Sequence, residues 1–156
     1  DADGLNLLAE NNNYLNQMAE RRFVITPHMK EMSRLTGLAT PLVNAERQRV
    51  ALDFAQKYGV VTVLKGAGTV IASPNGKVLV NPTGNSGMAT GGSGDVLAGM
   101  TASILAQGAS AFSSAAAAVY LHGLAGDIAA EKYGKISMLP TDLINCIPLA
   151  YKRCGF

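Results

Sequence analysis

The sequence has no tryptophan and only two cysteines, Cys146 and Cys154, among its 156 residues. Two thiols form neither a disulfide framework nor a metal-ligand set, so we expect a reducing, cytoplasmic environment. The chain also lacks a basic run, and its net charge of +2 gives no footprint for nucleic acid or an anionic membrane. Its longest uninterrupted apolar stretch, at 115–121, is far shorter than the roughly 20 residues of a membrane span. Neither nucleic acid nor a membrane is therefore an expected partner.

Apolar residues make up 48% of the chain and charged residues 15%, a balance typical of a globular domain. The apolar runs 23–26 and 60–64 predict buried strands, and Ser73-Pro74-Asn75-Gly76 predicts a hairpin turn between strands at 69–72 and 77–80. Spacing and capping signals predict helices over 4–22 in two pieces, 27–36, 41–58, 95–107, 110–133 in one or two pieces, and 141–151 with a break at Pro148. This order predicts an α/β fold with a mainly parallel sheet.

The strongest chemical signal is a loop with five glycines over residues 81–94, which runs directly into a predicted helix. The run Gly91-Gly92-Ser93-Gly94 lets the backbone approach a ligand closely, and the helix start adds about half a positive charge. Such a terminus binds phosphate groups. A Walker A loop is excluded because Ser93 and Gly94 occupy the two positions that require Lys and then Ser or Thr. A dinucleotide fingerprint is excluded because Leu97 stands where Gly or Ala is needed.

Asp95 follows this glycine run at the start of the helix. For an isolated Gly-Asp pair, a helix-capping aspartate is the plainest interpretation. Beside an anion pocket, however, a carboxylate can accept the proton of a hydroxyl while the adjacent N–H groups stabilise an incoming phosphoryl group. In this context we favour Asp95 as the base of a phosphoryl transfer.

Two further candidates follow predicted strands. Lys65-Gly66-Ala67-Gly68-Thr69 comes directly after the strand at 60–64, and His28 lies just beyond the strand at 23–26. The carboxyl ends of parallel strands form the ligand crevice of α/β sheets, so Lys65 is placed to meet a nucleotide phosphate or ribose. A lysine that opens a β-turn explains the first motif equally well, and a lone histidine at a helix start is more often a local hydrogen-bonding residue than a catalyst.

Other polar residues receive structural interpretations. His122, in an alanine-rich helix, is predicted to pack or to make a hydrogen bond, and Asp127 is predicted to lie on a solvated helix face. Asp1 and Asp3 are predicted to end a strand, which would place Asp3 near the crevice, although a turn explains them nearly as well.

Four motifs, in order along the chain, resemble the ADP/ATP-dependent NAD(P)H-hydrate dehydratases, a carbohydrate-kinase-like branch of the ribokinase superfamily. They are Asp1-Ala2-Asp3-Gly4-Leu5, Thr26-Pro27-His28, Lys65-Gly66-Ala67-Gly68-Thr69 and the run from Asn81 through Gly99. The resemblance extends to about Tyr151 and implies a ribokinase-like three-layer α/β/α fold. Met29-Lys30 departs from the Pro-Gly that commonly follows the Thr-Pro-His motif, but this departure leaves His28 in place.

The resemblance implies a metabolite-repair lyase that uses ADP or ATP to restore hydrated NADH or NADPH. The family mechanism is phosphorylation of the ring hydroxyl followed by loss of phosphate. By resemblance, Asp95 would be the base and a substrate contact, and His28 would contact the hydrated dinucleotide. Lys65 to Thr69 and Gly94 would hold the adenine nucleotide, with Gly91, Gly92 and Ser93 beside its phosphates. Mg²⁺ is expected with those phosphates, although no residue identifies itself as a direct metal ligand.

The predicted sheet is small for the number of predicted helices, and the domain of this family begins well before Asp1. We therefore expect residues 1–156 to form a single domain, the C-terminal part of a ribokinase-like dehydratase domain that is incomplete at its N-terminus. A preceding segment or a complementary chain would supply the rest. A homo-oligomer is expected, with the number of subunits left open.

Two other functions fit the same residues. A kinase of a vitamin precursor or a sugar would use Asp95 in the same way but release a stable phosphorylated product. A non-catalytic nucleotide-binding remnant would bind without turnover. The sequence does not choose between ADP and ATP, because contacts to adenosine carry no information about the phosphates beyond it.

Overall fold

The computed structural model describes residues 1–11, 13–17 and 23–156, so the predicted helical positions 12 and 18–22 lie outside the described residues. The elements in chain order are α1 Ala2–Glu10, α2 Asn13–Asn16, β1 Val24–Ile25, α3 Met29–Thr36, α4 Thr40–Ala45, α5 Arg47–Tyr58, β2 Val61–Leu64, β3 Val70–Ala72, β4 Val78–Val80, a 3-10 turn at Ser86–Met88, α6 Ser93–Ala106, α7 Ala111–Tyr133 and α8 Pro140–Arg153. From Phe23 onward, strands and helices alternate in the predicted order.

The sheet has the strand order β1-β2-β3-β4 and is mixed. β1 runs parallel to β2, with Val24 opposite Val61, whereas β2 pairs with β3 and β3 with β4 in antiparallel register. The expectation of a mainly parallel sheet is therefore wrong for the described strands, because the predicted hairpin supplies two of the four strands and both of its pairings are antiparallel. The turn of that hairpin holds Gly76 in the left-handed region, with φ +88°.

Helices cover both faces of the sheet, which makes the fold a three-layer α/β/α arrangement as predicted. Leu64 packs into a core that includes Phe54 of α5, while Val63 packs into a second core with Leu97 of α6 and Ala118 of α7. Successive side chains of a strand point to opposite faces, so the apolar run of β2 is buried on both sides.

The helix predicted from residue 27 begins at Met29 and the one predicted from 95 begins at Ser93, and two predictions of helix continuity are also wrong. The helix predicted over 41–58 is two helices, because Glu46 has non-helical backbone angles (φ −122°, ψ 38°) and ends α4 before α5 begins. Conversely, α8 continues through Pro148 instead of breaking there. Pro148 is exposed, so water can satisfy the carbonyl that loses its helical partner, and the buried Leu143 and Cys146 keep α8 packed against α6 and α7.

α7 is one continuous helix, and the glycine-rich loop packs directly against two of its glycines. A Cβ at Gly123 would lie 2.2 Å from Thr83 Oγ1 and 2.8 Å from the Thr83 carbonyl carbon. A Cβ at Gly126 would lie 2.3 Å from Met88 Sδ. All three distances are shorter than van der Waals contact, so the loop can reach its position only where α7 lacks side chains. No helix within the described ranges combines the length and the apolar character that a membrane span needs.

We predict that Gly123→Ala lowers the free energy of unfolding by about 1–3 kcal/mol, since the added methyl group meets loop backbone that must shift. Gly99→Ala is the matched control, because nothing lies within 4 Å of the added Cβ. We expect Gly99→Ala to stay within about 1 kcal/mol of the wild type, in the stabilising direction. Urea unfolding measures both, and equal losses would contradict the close approach of the loop to α7.

Candidate functional site

A cleft of about 920 Å³ lies where β1 and β2 end. Its wall is made of the turn after β1, the loop after β2, the glycine-rich loop, the first turn of α6 and the middle of α7. The predicted site residues that line it are His28, Lys65, Gly66, Ala67, Gly68, Thr69, Ser93 and Gly94. Two strand ends and one helix start, widely separated in sequence, therefore meet at one cavity.

Three predicted site residues are not among those that line the cleft: Gly91, Gly92 and Asp95. Asp95 is exposed on the first turn of α6. It is nevertheless close enough to act electrostatically on the ammonium group of Lys65, whose pKa it raises. Asp95 follows Gly94, which lines the cleft, at an exposed position of the same helical turn.

The first turn of α6 provides hydrogen-bond donors without protein acceptors. Gly92 precedes it in the left-handed region (φ 96°), which turns the chain sharply into the helix. In the described part of the chain, the N–H groups of Gly94 and Asp95 donate to no protein oxygen. Ser93 is 7% exposed, and its Oγ is buried without a hydrogen-bond partner. Phosphate oxygens are the acceptors that such a terminus favours, so these groups fit an anionic ligand.

Lys65 stands beside this helix terminus. A Cβ at Gly94 would lie 3.5 Å from Lys65 Nζ. The ammonium group forms an ion pair with the carboxylate of Asp1, and its Nζ lies 3.9 Å from Glu31 Oε2. Burial lowers the pKa of Lys65, and the negative charges of Glu31 and Asp95 oppose that shift. The carboxylates of Asp1 and Glu31 thus lie near this ammonium group, and the charge of Asp95 also acts on it.

His28 is the N-cap of α3. Its Nδ1 accepts hydrogen bonds from the N–H groups of Lys30 and Glu31, both at 3.1 Å. The carboxylate of Glu31 in turn accepts from the His28 N–H at 2.7 Å. The local hydrogen-bonding role considered for this histidine is therefore confirmed, and the half-exposed ring also lines the cleft.

Comparison with known proteins identifies the family. A family model described as NAD(P)H-hydrate dehydratase matches residues 1–149. A bifunctional NAD(P)H-hydrate repair enzyme of Moorella thermoacetica is 45% identical over 153 residues, which cover 98% of this chain and 29% of that protein. The chain belongs to the NAD(P)H-hydrate dehydratase family.

Solved structures agree with this assignment. The ADP/ATP-dependent NAD(P)H-hydrate dehydratase from Bacillus subtilis, co-crystallised with ATP/Mg²⁺, is 34% identical with a TM-score of 0.80 over 87% of this chain and 52% of that chain. A ribokinase-like superfamily protein from Enterococcus faecalis is 34% identical with a TM-score of 0.78, over 96% of this chain and 50% of that chain. The ribokinase-like fold is thereby confirmed, and this chain spans about half the length of these two structures.

Arg47 supports the loop after β2, a role that the sequence does not predict. It begins α5 and donates hydrogen bonds to the carbonyl oxygens of Ala67 and, at 3.3 Å, of Leu64. A Cβ at Gly66 would lie 3.0 Å from Arg47 Nη2, so the guanidinium group fills the space beneath the loop. Nothing local distinguishes Arg47 from Arg49, since its partners lie 17 and 20 residues further along the chain.

Asp127 is not the solvated residue that the sequence predicts. Its carboxylate accepts hydrogen bonds from the Gly84 N–H and from Asn85 Nδ2, both at 2.9 Å. Thr83 Oγ1 also donates to the Tyr120 carbonyl at 2.9 Å. These bonds fasten the glycine-rich loop to α7, and the prediction failed because the partners lie more than 40 residues apart.

The predicted strand end at Asp3 is also wrong. Residues Ala2–Glu10 form α1, with Asp1 at the N-cap position and Leu5 buried on its inner face. Asp3 is exposed on this helix, and it is Asp1 that reaches the cleft through Lys65. Within the described ranges, no group of three or more His, Cys, Asp and Glu side chains could hold a metal ion by itself.

His122 makes the hydrogen bond that the sequence predicts. Its Nε2 lies 2.9 Å from the Ser93 carbonyl oxygen, so it donates and Nε2 carries the proton. The ring is 8% exposed and joins α7 to the first turn of α6. Burial lowers the pKa of His122 below its ordinary value of 6.5, although the bond to Ser93 acts in the opposite direction.

We predict a pH dependence of stability from His122. Below pH 6.5 the unfolded chain binds a proton there more readily than the folded chain, so the free energy of unfolding falls as pH decreases toward the lower folded pKa. His122→Gln keeps a donor for the Ser93 carbonyl but has no ring to titrate, and should show a shallower loss. Urea unfolding between pH 7.5 and pH 5 measures the difference, and identical slopes in both proteins would contradict the prediction.

Proposed function

We propose that this chain forms part of an enzyme that returns hydrated NADH or NADPH to NADH or NADPH at the expense of ADP or ATP. The observation that carries the proposal is the first turn of α6, where the N–H groups of Gly94 and Asp95 have no protein acceptor among the described residues and where a Cβ at Gly94 would lie 3.5 Å from Lys65 Nζ. This donor set suits a transferred phosphoryl group, and Asp95 on the same turn supplies a carboxylate.

The proposed roles are those that the family resemblance implies, and the position of most of these residues at one cleft supports them. The loop Lys65-Gly66-Ala67-Gly68-Thr69 would hold the adenine nucleotide, whose phosphates would lie against the run Gly91-Gly92-Ser93-Gly94. His28, across the cleft, would contact the hydrated nicotinamide ring. This division places the nucleotide and the dinucleotide on either side of Lys65.

Asp95 would act as the base of the first step. The ring hydroxyl oxygen bonds to the terminal phosphorus of the nucleotide, the bond from that phosphorus to the nucleotide breaks, and Asp95 takes the hydroxyl proton. The C–O bond to phosphate then breaks, the neighbouring ring carbon loses a proton to solvent, and the electrons of that C–H bond restore the ring double bond. At such a helix start, the N–H donors can stabilise the incoming phosphoryl group while the carboxylate accepts the proton that leaves.

Mg²⁺ is proposed to accompany the nucleotide, as in the Bacillus subtilis relative that was co-crystallised with ATP/Mg²⁺. The described residues offer no cluster that would hold a metal alone, which suits an ion bound mainly by phosphate oxygens and water. When bound, it would neutralise phosphate charge, and no side chain of this chain is assigned to it.

The assignment of residues 1–156 to the C-terminal part of a ribokinase-like domain is likewise a proposal, as are the homo-oligomer and the preceding or complementary segment. Because the matched relatives are at least about twice as long as this chain, activity should be measured on the intact protein that contains it.

We predict that Asp95→Asn in the intact protein lowers turnover by about 10²–10⁴-fold, because the ring hydroxyl loses its proton acceptor. Turnover is followed as recovery of the reduced-nicotinamide absorbance from hydrated NADH and ADP. ADP affinity, measured by calorimetry, should change only a few-fold, since the helix N–H groups remain. Asp53→Asn, an exposed aspartate on α5, is the control and should leave both quantities unchanged.

Other outcomes would assign the chain differently. Unchanged turnover in Asp95→Asn would remove Asp95 from the mechanism. Accumulation of a stable phosphorylated product from another alcohol, without NADH recovery, would identify a kinase. Binding of ADP with no turnover in the intact wild-type protein would identify a non-catalytic nucleotide-binding protein.

A further inference from the structure

Glu31 is a buried carboxylate that lies close to two residues of the cleft wall, His28 and Lys65. It lies in the first turn of α3, and only 6% of its surface is exposed. A glutamate at this helical position commonly completes a capping box, a role that needs no burial. Acidic side chains are almost never fully buried unless they are paired, so the burial of Glu31 calls for partners beyond the cap.

The first partner is the imidazole of His28. Nδ1 of this ring accepts two helix N–H groups, so the proton of the neutral ring lies on Nε2. Nε2 lies 3.4 Å from Glu31 Oε1, while Oε2 accepts from the His28 N–H at 2.7 Å. The helix N–H groups thus hold the ring at Nδ1, and the negative charge of Glu31 lies beside Nε2.

The second partner is Lys65, on the neighbouring loop that follows β2. Its Nζ lies 3.9 Å from Glu31 Oε2, and its backbone N–H donates to the Pro27 carbonyl at 2.8 Å. The turn that carries His28 and the loop that carries Lys65 are therefore joined twice, once through the backbone and once through the Glu31 carboxylate. The remaining anions near Lys65 are Asp1 and Asp95, on α1 and α6.

We propose that Glu31 is a positioning residue that holds the imidazole of His28 and the ammonium group of Lys65 in a fixed relation, and so couples dinucleotide binding to nucleotide binding. The identity of the two ligands rests on the proposed function, whereas the contacts of Glu31 do not. Without the charge of Glu31, Asp1 and Asp95 alone would direct the ammonium group, away from the His28 side of the cleft.

The principal test is Glu31→Gln in the intact protein. Glutamine also completes capping boxes and can accept from the His28 N–H, so the fold should be retained. We expect the dissociation constant for ADP and the KM for hydrated NADH each to rise about tenfold, while the urea midpoint stays near that of the wild type. Glu131→Gln makes the same chemical change at an exposed ion pair with Arg153, outside the cleft, and should alter neither constant. Unchanged constants in Glu31→Gln would overturn the proposal.

A double-mutant cycle separates positioning from simple loss of charge. If Glu31 acts through Lys65, Glu31→Gln should weaken ADP binding much less in a Lys65→Met background than in the wild type. An equal weakening in both backgrounds would overturn the proposal. Glu31→Asp, which keeps the charge, should recover part of the ADP affinity lost in Glu31→Gln, and no recovery would count against it.

A readout without ligand keeps this inference distinct from the proposed function. NMR relaxation of the His28 ring is measured in the wild type and in Glu31→Gln. We expect a lower ring order parameter in the variant, because the negative charge beside Nε2 is gone. An unchanged order parameter would overturn the role of Glu31 even if the protein proves inactive on hydrated NADH, which would by itself refute only the proposed function.

Discussion

The first turn of α6 is the constraint on which the rest of the structure depends. In the described residues the N–H groups of Gly94 and Asp95 lack protein acceptors, because a helix leaves its first donors unpaired and no side chain caps this one. The chain enters this turn through Gly92, and the loop before it contacts α7 closely. That contact in turn requires glycine at positions 123 and 126. The position of the loop at the cleft therefore decides which residues α7 can carry there.

Electrostatic balance is the second consequence of this arrangement. The helix terminus and Lys65 supply the positive charge at the cleft, and burial alone would favour a neutral lysine. Asp1, Glu31 and Asp95 support the charged form of that lysine from three different elements. A phosphate that binds here would therefore compete with these carboxylates for the Lys65 ammonium group, which their contacts already hold in position. A cleft of this kind can bind an anion without first recruiting and orienting a mobile side chain.

The sequence predicts those parts of the site that depend on local order. The buried run 60–64, the hairpin and the placement of Lys65 after a strand follow from periodicity and turn chemistry, and all are found. Arg47 and Asp127 could not be predicted, because each acquires its role from carbonyl or amide groups far away in sequence. The break at Glu46 and the continuity through Pro148 depend likewise on tertiary packing, which overrides the local preference of a single residue.

Helix capping and ligand binding, weighed as alternatives for His28, are compatible in this fold. The ends of β1 and β2 lie at the same edge of the sheet, so the helix that follows β1 must begin where the crevice opens. A residue that caps such a helix already has one ring nitrogen occupied, and its free edge faces the cavity. Capping thus restricts the ring before any ligand arrives. Glu31 extends the restriction to the neighbouring loop, because the same carboxylate that completes the cap also lies 3.9 Å from Lys65 Nζ.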